Sequence, residues 1–210
     1  QRQMCIRDSK YEIQKEYIEG VLVKSEGNPL YLRLLLNSLA EKEKRVNDIS
    51  ALPKGVYDFY QEILNRLQKS ASGTDIYDVL YLLTITKDYL SADTISYFTE
   101  IKRAKVDQIL SDIREILFEN PFTTEIEDFQ LFHESLREFF KEKYPKQLDE
   151  LREKQLLPKL RLWKEEYAKH QKNKTSDPYT IRYILSYIIT HLLETTETKR
   201  EAEALVLSPE

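Results

Sequence analysis

Residues 106–140, "VDQILSDIREILFENPFTTEIEDFQLFHESLREFF", decide the fold. Val106, Ile109, Leu110, Ile113, Ile116 and Leu117 recur three and four residues apart, the spacing of one apolar helix face, and predict a helix over 102–120. Pro121 stops it, because proline lacks an amide hydrogen and clashes with the preceding turn. "FTTEI" and "FQLFH" are short runs rich in β-branched and aromatic residues around an acidic turn, and predict strands at 122–126 and 129–133. "ESLREFFKEKY" returns to helical spacing over 134–144, so His133 stands where a strand gives way to a helix.

Two helical patterns precede this stretch. "DIYDVLYLLTIT" (75–86) is apolar, and "SADTISYFT" (91–99) opens on Ser91, a residue type that caps helix N-termini. Three helices, a hairpin and a helix are the order of a winged-helix domain, expected over 74–145. Further upstream, an amphipathic helix over 10–24 carries Ile13, Tyr17, Val21 and Leu22. Gly27 ends it, Asn28 is placed to cap the next helix, and Pro29 suits its first position. That next helix has Leu30, Leu32, Leu34, Leu35, Leu36 and Leu39 nearly all round, which predicts deep burial. Deprived of a packing partner, residues 30–39 are expected to leave apolar surface exposed. "VYDFYQEILNRLQ" forms a further helix, and the small polar run "KSASGT" (69–74) is the best domain boundary. After Pro145 the pattern stays helical to the end of the chain.

Composition agrees with a mainly α fold. Of 210 residues, 41% are hydrophobic and 32% charged, the balance of a globular chain, while four glycines and seven prolines are too few for a turn-rich β fold. The net charge of −4 argues against a basic nucleic-acid-binding surface. Cys5 is the single cysteine, so no intramolecular disulfide forms and a cytoplasmic setting is expected. The longest apolar runs fall well short of the ~20 residues that span a bilayer, so no membrane association is expected. Residues 1–9, "QRQMCIRDS", have no helical or strand period and resemble translated sequencing-adaptor read-through. The native sequence is then expected to start near Lys10 and extend upstream; a disordered native terminus is the alternative. The closing Pro209-Glu210 reads as a cut end.

Chemistry is sparse. The glycines at 20, 27, 55 and 73 cannot supply a G-x-x-x-x-G-K-[ST] phosphate loop, and no apolar strand ends in paired acids. His133, His170 and His191 lie far apart without cysteine partners, and no G-x-S-x-G elbow exists. The chain is therefore expected to have no catalytic residue and no metal, and not to be an enzyme on its own. A winged-helix DNA-binding regulator is one alternative. Lys102, Arg103, Lys105 and Arg114 would serve it, but Asp107, Asp112, Glu115 and Glu119 share their segment and favour a solvated mixed-charge face. A purely structural helical adaptor is the other.

Two segments carry a resemblance: Gly27-Asn28-Pro29-Leu30-Tyr31-Leu32 and, about a hundred residues on, Phe132-His133-Glu134-Ser135-Leu136-Arg137-Glu138-Phe139, with "LPKGVYDFYQEIL" between. The series resembles the C-terminal half of a STAND-class signal-transduction ATPase, of the NACHT and NB-ARC relatives. Glu134 stands where plant-type members have an aspartate, which places the likeness on the NACHT side. The resemblance implies a helical lid over 10–70, a winged helix over 74–145 and, over 146–210, a helical connector leading to a repeat or sensor region. It implies that Pro29, in a turn with Gly27 and Asn28, packs on adenine, and that His133 touches the β-phosphate of ADP. ADP or ATP would bind only together with an upstream nucleotide-binding core. The implied partners are that core, the downstream repeats and further copies of the protein in an oligomer; the implied role is sensing nucleotide state in signalling. Read from the residues alone, His133 has two roles open: a core histidine bonded to a backbone carbonyl, or a donor to a phosphate oxygen. Arg137 and Glu138 read as a surface ion pair of little energetic weight, and His170 and His191 as helix-surface or interface residues.

Overall fold

A computed structural model of the chain describes residues 15–42, 52–68, 73–121, 127–173, 177–194 and 198–207. These are mainly helical, with one small three-stranded antiparallel sheet. The chain separates into two compact units, Gln1–Arg66 and Leu67–Glu210. The expected tail over 1–9 and Ile13 lie outside the described residues.

The first unit holds α1 (Lys15–Ser25), α2 (Pro29–Lys42) and most of α3 (Gly55–Leu67). Glu26 and Gly27 turn the chain between α1 and α2 at positive φ, 51° and 73°, a conformation glycine adopts without steric cost. Tyr31 anchors α2: its ring meets Phe59 edge-on at 5.7 Å and its hydroxyl donates to the Pro53 carbonyl at 2.7 Å. Leu34 and Leu35 are buried beside it, yet Leu36 is 64% exposed, so the expected burial all round α2 does not hold. Leu22, expected on the apolar stripe of α1, is half exposed. The side chain of Leu39 lies outside what is described.

The second unit is built on α4 (Asp75–Ile85), where Val79 to Ile85 are buried in an unbroken run. No amphipathic helix buries seven consecutive residues; α4 is instead surrounded, by α5 (Ala92–Thr99), α6 (Arg103–Asp112), α7 (Glu134–Lys143) and α8 (Pro145–Leu151). Ser91 caps α5 as its residue type predicts, accepting the Thr94 amide at 3.1 Å. The sheet has the order β1 (Leu90–Ser91), β3 (Asp128–Leu131), β2 (Leu117–Glu119), with both pairings antiparallel.

Here the expected boundaries are corrected. The helix predicted over 102–120 ends at Asp112. After a 3-10 turn over Arg114–Ile116, Leu117–Glu119 is a strand, with Leu117 opposite Leu131 and Glu119 opposite Phe129. The strand expected at 122–126 lies outside the described residues, and the one expected at 129–133 runs over Asp128–Leu131. Beyond α8, a π-helical turn (Arg152–Leu156), α9 (Leu157–Arg161) and α10 (Trp163–Asn173) continue the helical path. Then α11 (Pro178–Leu192) buries Ile181, Ile184 and Ile188 while packing on β1, α5 and α9, and α12 (Lys199–Leu207) packs on α11. Among the described residues no helix is long and apolar enough to cross a membrane.

Candidate functional site

His133 follows β3 and is the N-cap of α7, with extended backbone angles of −150° and 142°. Its Nδ1 accepts the Ser135 amide hydrogen at 3.1 Å and lies 2.8 Å from Ser135 Oγ. A nitrogen that accepts an amide N–H carries no proton, so the neutral ring holds its hydrogen on Nε2. The side chain is exposed, not a core histidine bonded to a carbonyl. The imidazole thus does the work usual for Ser, Asp or Asn at a helix start, and offers one N–H outward.

One helical turn on, Arg137 is the side chain that ties α7 to α4. Its Nη1 donates to the carbonyls of Leu83 at 2.6 Å, Thr84 at 2.9 Å and Thr86 at 3.0 Å. These lie at the C-terminal end of α4, where carbonyls lack helical partners and the helix dipole favours a cation. The side chain is only 12% exposed, and Glu134 sits 3.5 Å from its Nε. Burial pushes the guanidinium pKa down, and the Glu134 carboxylate opposes that shift. The expected Arg137–Glu138 surface pair is therefore corrected: Arg137 is a half-buried helix cap whose acid is Glu134.

A cleft of about 510 Å³ opens beside Arg137, with Lys87, Glu134, Lys141, Arg152 and Glu194 in its walls. Each of its cations faces a carboxylate of the chain itself. Lys141 lies 3.4 Å from Glu134, Arg152 lies 3.3 Å from Asp149 and 3.2 Å from Glu194, and Lys87 pairs with Glu194. Four cations thus share three carboxylates, Glu134, Asp149 and Glu194.

Glu194 is the hub of that balance. His191, expected on a helix surface or at an interface, is fully buried, which excludes the surface, and places Nδ1 3.5 Å from the Glu194 carboxylate. Its Nε2 lies 2.8 Å from the Tyr183 hydroxyl, which accepts the Lys87 amide hydrogen at 3.2 Å. Burial alone would raise the Glu194 carboxyl, but His191 and Lys87 as hydrogen-bond partners, with the Arg152 charge, hold it at about 2. Burial pushes the Tyr183 hydroxyl pKa up, so it remains a neutral link. The side chain of His170 lies outside what is described.

Three of the four cations on and around α6 are similarly spent. Arg103 pairs with Asp93 at 2.9 Å and with Asp107, Lys105 with Asp75 at 2.8 Å, and Arg114, in the following 3-10 turn, with Glu119. In the first unit, the Asn28 side chain accepts the Leu30 amide at 2.9 Å, capping α2 as its position predicts. Pro29 opens α2 with its ring exposed, and Gly27 supplies the positive φ of the turn. Pro29, Asn28 and Gly27 belong to one unit and His133 to the other. Among the described residues no group of His, Cys, Asp and Glu is arranged to hold a metal ion.

No family model, curated protein or solved structure matches this chain.

Sequence reasoning missed Arg137 and Glu194 as organising residues. For Arg137 a signal existed: it stands four residues after His133, on the face of α7 that also carries the buried Leu136 and Phe140.

Proposed function

We propose that the chain is the regulatory half of a STAND-class signalling ATPase, with a helical lid over 10–70, a winged helix over 74–145 and a connector over 146–210 leading to a repeat or sensor region. One observation carries the reading: His133 spends Nδ1 on capping α7 and keeps an exposed Nε2–H for an acceptor outside the fold. The order α4, β1, α5, α6, β2, β3, with β3 central in the sheet, supports the winged-helix assignment. The exposed Pro29 ring, at the first position of a capped helix, suits the flat face of a purine.

On this reading His133 donates its Nε2–H to a β-phosphate oxygen of ADP, and Pro29 covers the adenine. A nucleotide-binding core upstream of Lys10 holds the nucleotide, and no residue of the present chain is catalytic. Loss of the His133 contact on exchange for ATP frees the winged helix to swing and the cytoplasmic protein to oligomerise. The paired charges of α6 and the acidic balance favour this role over DNA binding.

The test uses the polypeptide that includes the upstream core. His133→Asn keeps a good N-cap acceptor, while its remaining amide donor sits one bond short of the Nε2 position and does not reach the same phosphate oxygen, so thermal stability stays at the wild-type level. A hydrogen bond to a charged group contributes about 1.5–3 kcal/mol, so ADP release is expected to accelerate about 10- to 100-fold. Unchanged ADP release in His133→Asn overturns the reading.

A further inference from the structure

The loop over residues 86–89, between α4 and β1, is gripped from two sides. From α7, Arg137 Nη1 bonds the Thr86 carbonyl at 3.0 Å while also holding Leu83 and Thr84 at 2.6 and 2.9 Å. From the α11 side, Tyr187 donates to Asp88 Oδ2 at 2.9 Å, Tyr183 accepts the Lys87 amide at 3.2 Å, and Glu194 pairs with the Lys87 ammonium. We propose that this loop is a mechanical joint, through which a displacement of α11 shifts the first turn of α7 and so the direction of His133.

The physical basis is a contrast in stiffness. The helix α4 is encased, with Val79 to Ile85 buried, and a packed interior does not yield gradually. Between the buried Thr86 and Tyr89, whose ring meets Phe118 at 6.3 Å, the loop has little apolar anchorage: Lys87 is exposed, Asp88 is part-buried, and the Thr86 hydroxyl has no hydrogen-bond partner. The position of residues 87 and 88 is therefore set by the polar bonds from the α11 side, and that of the Thr86 carbonyl by Arg137. If α11 draws residues 87 and 88 with it, the Thr86 carbonyl moves relative to those of Leu83 and Thr84. One Arg137 nitrogen then cannot keep all three acceptors, and the guanidinium must follow some and release others. Arg137 lies one turn from His133 on the same rigid helix, so the adjustment is felt at the cap. That this steers nucleotide sensing rests on the function proposed above; the joint itself does not.

The test is a double-mutant cycle on the 210-residue chain with Arg137→Met and Tyr187→Phe. The two side chains grip the loop from opposite elements, and Tyr187→Phe removes only a neutral hydroxyl, so charge–charge coupling across the cleft cannot mimic the effect. Unfolding by urea is followed through Trp163, the single tryptophan, which lies in the second unit. A joint predicts that the double variant's unfolding constant departs by at least about threefold from the product expected of the singles. Where Arg137→Met does not fold, Arg137→Lys takes its place in the cycle. The Ser135 amide, bonded to His133, is also expected to exchange its hydrogen several-fold faster in Tyr187→Phe alone. An additive cycle overturns the proposal whatever the amide does, and it does so without bearing on ADP release in His133→Asn.

Discussion

Replacing Glu194 with Gln discharges the hub of the buried network while keeping its size. The carboxyl is depressed from 4.5 to about 2 because the His191 and Lys87 hydrogen bonds and the Arg152 charge outweigh the effect of burial. A depressed carboxylate contributes stability that is fully present above its unfolded value and lost as pH falls toward its folded one. The relevant window is thus pH 4.5 down to 2. At 1.36 kcal/mol per pH unit the shift corresponds to about 3 kcal/mol, and the side chain is only 22% exposed, so solvent screening trims this to about 2–3 kcal/mol. The assay is urea unfolding through Trp163 fluorescence at a series of pH values. Wild type is expected to exceed Glu194→Gln by about 2–3 kcal/mol at neutral pH and to converge on it as pH falls through the window. Burial raises the Asp78 and Asp128 carboxyls, which gives the opposite slope, but both proteins share that contribution and it cancels in the difference. Stability curves that stay parallel from pH 7 to pH 2 refute the hub.

The same unfolding assay reads two further substitutions. Asp177 caps α11, accepting the Thr180 amide and hydroxyl at 2.9 Å, and receives the Thr94 hydroxyl of α5 at 3.4 Å; Asp177→Ala is expected to destabilise by about 1–2 kcal/mol, with Asp177→Asn recovering most of it. Leu80 is fully buried in α4, so Leu80→Ala is expected to cost about 2–5 kcal/mol; a smaller loss would mean that α4 is not the centre of its unit.

Local signals were sufficient where an element's identity is decided by its own residues. Ser91 announced α5, Asn28 and Pro29 announced α2, and the apolar pattern over 75–86 announced the buried helix α4. They failed at Leu117–Glu119. Ile109, Leu110, Ile113 and Ile116 are all buried, as one helical face would be, and nothing local separates the 3-10 turn from a continuing helix. What makes 117–119 a strand is its pairing with Asp128–Leu131, including the Asn120 amide bonded to the Asp128 carbonyl at 2.9 Å. That is a tertiary decision. The partners of Arg137 and Glu194 were hidden for the same reason: Arg137's place on the buried face of α7 was legible, but the carbonyls it caps lie more than fifty residues away, and Glu194 meets Lys87 and Arg152 only once three elements have converged. His191 was more legible than its reading allowed. It continues the spacing of Ile181, Ile184 and Ile188, and a histidine on a buried stripe needs a polar partner, which Nε2 finds in Tyr183 while Nδ1 faces Glu194 at 3.5 Å.

The choice of histidine at position 133 bears on what the site is for. A helix start needs only a short side-chain acceptor, and Ser, Thr, Asp or Asn provides it with less bulk than an imidazole. The fold uses Nδ1 and leaves the second nitrogen outside. The two functions are also chemically linked. A proton on Nδ1 would remove the acceptor for the Ser135 amide, so the cap holds the ring in the tautomer whose Nε2 is a neutral donor. Under the function proposed above, recognition through His133 is directional hydrogen bonding, which suits telling one phosphate arrangement from another better than gathering anions in general. Two neighbouring clusters agree: Arg103 and Lys105 of α6, and the cations of the cleft beside Arg137, each lie beside a carboxylate of the chain itself. A directional donor has to be aimed, and aim is what the Arg137 grip on the end of α4 supplies to the first turn of α7.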